Sequence, residues 1–174
     1  MQKELRLPSD SLKVQLRNKQ LWNQQRQEKG AADFFTVGYS GKTIEQFLSA
    51  LTEAGVQCLV DVRANPVSMY KPDFSKGNLT RHLAGVGIQY RHVPTLGVPR
   101  DIRSKATLEG GRNNIWGWYD KHVVPQLCQG NLHRFLNFFD HPVALMCTEL
   151  DPTACHRHRL SLVLEKYGLN GLDL

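Results

Sequence analysis

The fold is decided by one stretch of the sequence, FFTVGYSGKTIEQFLSALTEAGVQCLVDVR (residues 34–63). Residues 34–37 are apolar and β-prone, and the glycines that follow predict a strand that ends in a turn. Residues 43–54 place apolar side chains at helical spacing between an N-capping threonine and a C-terminal glycine, which predicts an amphipathic helix. Residues 57–63 are almost continuously apolar, as in a buried parallel strand. The stretch therefore predicts a βαβ unit.

Further strands and helices are predicted on the C-terminal side of this unit. The pattern indicates helices over residues 76–84, 116–127, 132–139 and 152–167 and strands over residues 88–93, 142–147 and 169–174. Residues 94–114 contain several glycines and prolines and are predicted to be a functional loop or mobile lid. We expect an α/β fold of the three-layer, Rossmann-like kind, with a mostly parallel sheet and helices on both faces.

Composition limits the chain to one globular core. With 174 residues, 41% of them hydrophobic and 22% charged, the chain is too apolar for general disorder and too short for two full cores. Its four cysteines do not form a disulfide framework, which favours free thiols in a reducing compartment. No apolar run reaches the roughly 20 residues that cross a bilayer. We expect a soluble, cytoplasmic protein with no membrane partner.

The positive charge of the chain is concentrated near its beginning. The net charge is +6, and residues 1–30 hold seven Lys or Arg against three acids. We therefore divide the chain into a basic, polar N-terminal extension, residues 1–33, and a single α/β domain, residues 34–174. The extension reads as a weak helix or a solvated arm, and nucleic acid is its alternative partner.

The densest cluster of reactive side chains follows the strand at 142–147 and reads CTELDPTACHR (residues 147–157). Ligands of open parallel sheets bind at the carboxyl ends of the strands, so this position favours a functional site. We predict Cys147, Glu149 and His156 as catalytic residues, with the Cys147 thiol as nucleophile, the Cys155 thiol as a second candidate, and Glu149 or His156 handling protons.

Other residues at the strand ends are predicted to bind an anionic ligand, either a small molecule or a nucleotide. A helix that begins near residue 155 offers unpaired backbone N–H groups to an anion, and arginine side chains form strong hydrogen bonds to such groups. The predicted ligand-binding residues are Ser40, Asp61, Arg63, Cys155 and Arg157. No cofactor is predicted.

Metal binding is the competing interpretation of the same cluster. Cys147, Cys155, His156 and His158 are residue types that bind zinc. Their spacing, C-x7-C-H-x-H, lacks the paired C-x2-C elements of common zinc motifs. We therefore rank zinc below an anion site and predict no metal.

Four segments together resemble one protein family, the uncharacterised domain of unknown function 488. They are VGYS (37–40), VDVR (60–63) with Pro66 and Ser68, LG (96–97), and the C-x-E-x-D-P-x-x-C-H-R pattern at 147–157. The resemblance extends over residues 34–174 and implies an α/β domain with Rossmann-like layering, but no settled reaction. Residues 60–63 and 143–147 are also loosely similar to rhodanese-type sulfurtransferases, in which the second of these strands ends at the catalytic cysteine.

Two hypotheses of function follow from these residues. The first is a cysteine-dependent enzyme, performing sulfur transfer or phosphoester hydrolysis on an anionic substrate. The alternative is a non-catalytic module that binds a nucleotide or nucleic-acid phosphate at the same strand ends, with the cysteines packed as small apolar groups. We rank the enzyme first, because a carboxylate, a histidine, an arginine and two cysteines at one junction exceed what packing requires.

Overall fold

A five-stranded parallel sheet forms the centre of the computed structural model, which describes residues 10–28, 30–109, 111–129, 137 and 142–174. Its spatial order is β3-β2-β4-β1-β5, and each of the neighbouring pairs is parallel. The predicted α/β class with a parallel sheet is therefore confirmed. The strands are β1 (Phe34–Gly38), β2 (Cys58–Asp61), β3 (Gln89–His92), β4 (Val143–Cys147) and β5 (Gly171–Asp173).

Helices occupy most of the connections between these strands. Across the described ranges they are α1 (Asp10–Gln27), α2 (Ile44–Glu53), α3 (Lys76–Gly85), α4 (Arg100–Glu109), α5 (Arg112–His122), α6 (Val124–Gln129) and α7 (His156–Lys166). Short 3₁₀ turns lie at Pro72–Phe74, Pro94–Leu96 and Pro152–Ala154. In the part of the chain that the structure describes, no helix combines the length and apolar character needed to cross a bilayer.

Two separate apolar cores lie on opposite faces of the sheet. Side chains alternate between the faces along a strand, so Val60 packs with Tyr119 of α5 and Leu160 of α7, whereas Leu59 packs with Phe47 of α2 on the other face. Helices therefore cover both faces, and the predicted three-layer arrangement is confirmed. The predicted helix α2 begins at a capping box in which Thr43 and Gln46 exchange hydrogen bonds.

The prediction of a loop or lid over residues 94–114 is wrong. Helices α4 and α5 occupy most of this segment. The glycines and prolines lie at its two ends, and residues 100–109 between them are mostly good helix formers. The helix predicted over 116–127 is divided near Val123, because Pro125 has no N–H to continue α5. The helix predicted over 132–139 lies outside the described residues, apart from residue 137.

Residues 10–27 of the basic extension form a helix that packs against the domain. Arg26 of α1 pairs with Glu165 of α7, with Nη2 2.8 Å from Oε2. Asn23 exchanges two hydrogen bonds with the backbone of Asp173 in β5, and the buried Trp22 ring contacts the ring of His158 edge-on. This part of the extension is thus tied to the sheet edge, and residues 1–9 lie outside the described residues. Nucleic-acid binding by the extension stays a prediction.

Candidate active site

The order of the strands brings the predicted site together. Strand β4 lies between β1 and β2, so its last residue, Cys147, is next to Gly38 at the end of β1. Val62 follows β2 and donates its backbone N–H to the carbonyl of Met146 in β4. The loop after β4 then leads into α7, which begins at His156 with Cys155 as its N-cap. Cysteines and histidine from the two ends of one loop therefore converge beside β2.

Gly38 makes room for the loop that carries Glu149. A Cβ atom at position 38 would lie 1.7 Å from the carbonyl oxygen of Glu149 and 3.0 Å from Nη1 of Arg157. Contacts this short do not occur between real side chains and a backbone, so only glycine allows the loop to cross the end of β1. The loop is also held by Ser40, whose backbone N–H donates to the carbonyl of Thr148 at 2.9 Å.

The thiol of Cys147 lies between a carboxylate and an imidazole. Its Sγ is 3.3 Å from Oε2 of Glu149 and 3.6 Å from Nδ1 of His156. The Sγ of Cys155 is 3.9 Å from the same Nδ1. Both cysteines are buried free thiols. The structure thus brings four of the predicted site residues into one group, which we call the thiol cluster: Cys147, Glu149, Cys155 and His156.

The imidazole of His156 is fixed in orientation by contacts on its far side. Its Nε2 is 3.0 Å from the carbonyl oxygen of Val62, so the Nε2–H tautomer donates to that carbonyl. The ring also packs against Tyr119, with 5.6 Å between the ring centroids. In this tautomer the lone pair of Nδ1 faces the two sulfur atoms. His156 can therefore accept a thiol proton without moving.

Burial and mutual contact shift the protonation equilibria of the thiol cluster. Burial, followed by the neighbouring Cys155, raises the pKa of Glu149 to about 7. Burial and the contact with Cys147 raise the pKa of Cys155 to about 11. Burial opposes a charge on His156, but Cys155, the Val62 carbonyl and Glu149 outweigh it and raise its pKa. Glu149, Cys155 and His156 therefore hold protons that the same groups in water would release at lower pH.

Two adjacent cavities open beside the thiol cluster. The smaller, of about 70 Å³, is lined on one side by Glu149, Cys155 and His156. The larger, of about 210 Å³, has three arginines in its wall: Arg63, Arg100 and Arg103. Arg103 and Val98 border both cavities, so the two spaces are neighbours. An anion held by the arginines would lie beside the cluster.

The sequence analysis missed Arg100, Arg103 and Trp116 as residues of this site. The first two belong to α4 and line the larger cavity, and Trp116 of α5 lines the smaller one. Because residues 94–114 were predicted to be a loop, the three-residue spacing of Arg100 and Arg103 did not indicate that their side chains lie on the same face. Three residues apart on a helix, two side chains share one face, and this signal was available once the helix was recognised.

Arg63, a predicted ligand-binding residue, is held mainly by internal partners. Its Nε and Nη2 donate to the Asp61 carboxylate at 2.9 and 2.6 Å, and Nη2 also donates to the carbonyl of Phe74. Tyr90 adds a hydrogen bond of 2.7 Å to Asp61. Desolvation is more than offset by Asp61, so the pKa of Arg63 is raised and its charge is kept. Asp61 is thus a partner of Arg63, and Arg63 reaches the larger cavity as an already paired cation.

Arg157, also a predicted ligand-binding residue, is completely buried. Its guanidinium donates to the carbonyl of Glu149 at 2.5 Å, to the carbonyl of Leu150 at 3.2 Å and to Asp173 at 3.2 Å. These contacts join the loop after β4 to β5. Arg157 therefore fixes the loop that carries Glu149, and neither cavity described above includes it.

Comparison with known proteins gives one family. The model of the family described as Domain of unknown function DUF488 matches residues 43–164, which is more than half of the chain and includes the whole thiol cluster. Neither a curated protein nor a solved structure gives a significant match.

Proposed function

The chain belongs to the family described as domain of unknown function DUF488, and we propose that it is a cysteine-dependent enzyme that transfers sulfur from a small anionic donor. The observation that carries the proposal is the position of Cys147. Its sulfur lies 3.6 Å from Nδ1 of His156 and 3.3 Å from Oε2 of Glu149. A thiol with a proton acceptor in reach, whose acceptor is in turn oriented by a third group, is the arrangement that activates a nucleophile.

The reaction uses the groups of the cluster in a defined order. The thiol proton of Cys147 passes to Nδ1 of His156, and the thiolate attacks the outer sulfur of a donor such as thiosulfate. The S–S bond of the donor breaks, sulfite leaves with the bonding electron pair, and Cys147 carries a persulfide. An acceptor such as cyanide then takes the outer sulfur as thiocyanate, and the Cys147 thiolate is regenerated. No outside oxidant or reductant is needed.

The arginines of α4 support an anionic donor. Arg100 and Arg103 line the larger cavity, and Arg103 also borders the smaller one beside Glu149 and His156. Guanidinium groups bind oxyanions through paired hydrogen bonds. The smaller cavity, about 70 Å³, has room for a few heavy atoms, as in thiosulfate; its wall includes Glu149 and His156, which contact Cys147, but not Cys147 itself.

The second thiol favours sulfur transfer over phosphoester hydrolysis. Like Cys147, Cys155 has its sulfur near Nδ1 of His156. Cys155 also makes a side-chain hydrogen bond to Cys147. A thiol donor beside Cys147 can hydrogen-bond to a persulfide anion there, an intermediate that phosphoester hydrolysis does not form. The non-catalytic alternative depends on Arg63 and Arg157 as clamps, and both guanidiniums are engaged by internal partners.

The proposal is tested by supplying thiosulfate and cyanide to the metal-free protein. We expect thiocyanate to form catalytically, and mass spectrometry of the protein treated with thiosulfate alone to find one added sulfur atom on Cys147. Cys147→Ser should abolish both signals. Cys58→Ser is the matched control, because Cys58 is an equally buried cysteine of the neighbouring strand β2, and it should keep both.

Three results would contradict the proposal. One is the absence of a persulfide on any cysteine when the circular dichroism spectrum shows a folded protein. Another is a persulfide on the exposed Cys128 alone, which would indicate non-specific chemistry. The third is turnover that survives Cys147→Ser.

A further inference from the structure

Three side chains of the thiol cluster also satisfy the requirements of a zinc site. Cys147 and Cys155 each offer a sulfur atom and His156 offers one ring nitrogen, and these three atoms all lie within 4.8 Å of one another. We infer that Cys147, Cys155 and His156 bind one Zn²⁺ ion, independently of the sulfur transfer proposed above. The inference rests on distances, on the orientation of the imidazole and on the type of the donor atoms.

The distances between the donors match the edges of a zinc tetrahedron. Zn–S bonds of about 2.3 Å and Zn–N bonds of about 2.0 Å at tetrahedral angles place a sulfur and a nitrogen about 3.5 Å apart and two sulfurs about 3.8 Å apart. Nδ1 of His156 is 3.6 Å from Sγ of Cys147 and 3.9 Å from Sγ of Cys155. Both sulfur–nitrogen distances therefore fit zinc, and the two sulfur atoms, which lie within 4.8 Å of each other, would take up the remaining adjustment.

The imidazole carries the second contact that zinc-bound histidines usually have. A histidine ligand donates its other ring N–H to a carbonyl or a carboxylate, which fixes the ring and the tautomer. Nε2 of His156 lies 3.0 Å from the carbonyl oxygen of Val62. This contact leaves Nδ1 as the coordinating atom, on the side of the two sulfurs. Burial of all three residues keeps the ligands in place.

The donor set selects the metal. Two thiolates and one imidazole suit zinc and other soft or borderline transition metals, whereas magnesium and calcium require oxygen ligands. Binding releases protons from the thiols, because cysteine binds zinc as the thiolate. Three protein ligands leave a fourth position for a water molecule or for Glu149, whose Oε2 is 3.3 Å from Sγ of Cys147.

The fold explains how these residues can bind zinc although their spacing in the sequence differs from that of common zinc motifs. C-x2-C motifs bring two ligands together within one turn, and this chain has no such pair. Here the seven residues between Cys147 and Cys155 form a loop and a 3₁₀ turn that return the chain to the end of β4. His158, the fourth residue of the spacing, instead packs its ring against Trp22 of α1 and does not belong to the cluster.

Zinc and the free thiol are alternative states of the same atoms. The zinc-bound protein has neither a free Cys147 thiolate nor a free Nδ1 lone pair, so it cannot form the persulfide proposed above. Zinc is therefore an inhibitor of that reaction. Zinc binding itself does not depend on the reaction, and its test needs no turnover.

The test is a zinc titration of the full chain after removal of metal with a chelator. We expect one Zn²⁺ per chain by elemental analysis after gel filtration, with release of protons in a weakly buffered solution. Cobalt(II) should bind in the same ratio and give the thiolate-to-cobalt absorption band. Cys155→Ser should weaken zinc binding by at least about 100-fold, which exceeds the usual loss from an outer-shell change.

The controls separate the cluster from the other thiols. Cys58→Ser and Cys128→Ser should bind zinc as the unaltered protein does. Failure of the wild-type chain to retain zinc, or retention that is lost in Cys128→Ser and not in Cys155→Ser, would overturn the inference. The cobalt spectrum of the wild-type chain answers the question even if a cluster variant does not fold. The thiosulfate experiment on metal-free protein is read separately, so failure of one proposal leaves the other standing.

Discussion

Two polar groups at the same edge of the sheet differ in how their atoms are used. In the thiol cluster, the sulfur and nitrogen atoms of Cys147, Cys155 and His156 face one another beside a cavity. In the second group, which we call the ion-pair scaffold, Arg63 pairs with Asp61 and Arg157 pairs with Asp173. The scaffold guanidiniums are satisfied by carboxylates and carbonyls of the same chain, whereas Cys155 and His156 of the cluster line a cavity.

Polar residues that lie together at the strand ends therefore do not all belong to one binding site. A buried charged side chain needs a partner of opposite charge. Once it has that partner, it holds neighbouring segments in place and does not need a ligand. Arg157 holds the loop that presents Glu149, and Asp61 holds Arg63. Substitutions should therefore act on stability in the scaffold and on ligand or substrate binding around the cluster.

The largest expected effect on stability is in the scaffold. Arg157→Met removes one of the two cations paired with Asp173, the other being Lys19, and leaves two loop carbonyls without these donors, so unfolding should become easier by about 3–5 kcal/mol in urea titrations. The matched control is Arg159→Met on the same helix, because the Arg159–Asp120 pair is partly exposed. It should cost at most about 1 kcal/mol. Equal losses of unfolding free energy in the two variants would contradict the claim that the buried Arg157 pair stabilises the protein more than a partly exposed ion pair does.

The next effect tests the crossing of the loop over β1. Gly38→Ala places a Cβ atom against the Glu149 carbonyl and should destabilise the protein by about 1–3 kcal/mol, because backbone must move. Gly77→Ala in α3 meets no neighbour within 4 Å and should be neutral or slightly stabilising. Chemical denaturation of both variants provides the measurement. A harmless Gly38→Ala would mean that the loop is not held as described.

A smaller effect is expected where an arginine lines the cavities. Arg103→Gln should raise KM for thiosulfate about tenfold with little change in the free energy of unfolding, since one charged hydrogen bond is worth at least about 1.4 kcal/mol. Arg91→Gln, an exposed arginine of the edge strand β3, removes the same charge and should leave KM unchanged. Equal increases of KM in the two variants would mean that Arg103 acts only through the net charge of the protein and does not contact the substrate.

The smallest effect concerns pH and Lys42, at the margin of the scaffold. Burial and the neighbouring Lys19 lower the pKa of Lys42 from 10.5 to about 8. Between these two values the unfolded chain binds more protons than the folded chain, so stability rises with pH. Relative to Lys42→Met, the wild type should gain on the order of 1 kcal/mol between about pH 7 and about pH 9.5, after allowance for partial exposure. Parallel pH profiles of unfolding would contradict this assignment.

Local patterns predicted most of the fold. The βαβ unit of residues 34–63 carries its own caps and periodicity, and α2 begins at the predicted Thr43. The cluster CTELDPTACHR was also recognised, because its strand and its helix are adjacent in sequence. The segment 94–114 was misjudged, because glycines and prolines at its ends masked the helix between them.

Partners across the sheet were beyond the reach of the sequence. Nothing near Arg157 in the chain indicates that Asp173 of β5 pairs with its guanidinium, so the sequence alone led to the prediction that Arg157 binds a ligand. The same limit led to the ranking of zinc below an anion site. Short motifs such as C-x2-C identify ligands that lie within one turn of the chain. Cys147 and Cys155 are instead brought together by a loop that returns to the end of the strand from which it started.

The most direct test of the distinction is the alkylation of each cysteine in the native, metal-free protein, followed by mass spectrometry. Cys147 and Cys58 are matched in burial, at 1% and 0% exposure, so access alone predicts equal and slow reaction. We expect Cys147 to react at least about tenfold faster, because its thiol lies 3.6 Å from the His156 nitrogen that can accept its proton, and thiosulfate or zinc should protect it. Equal rates at Cys147 and Cys58, unaffected by either ligand, would contradict the existence of a reactive site in the thiol cluster.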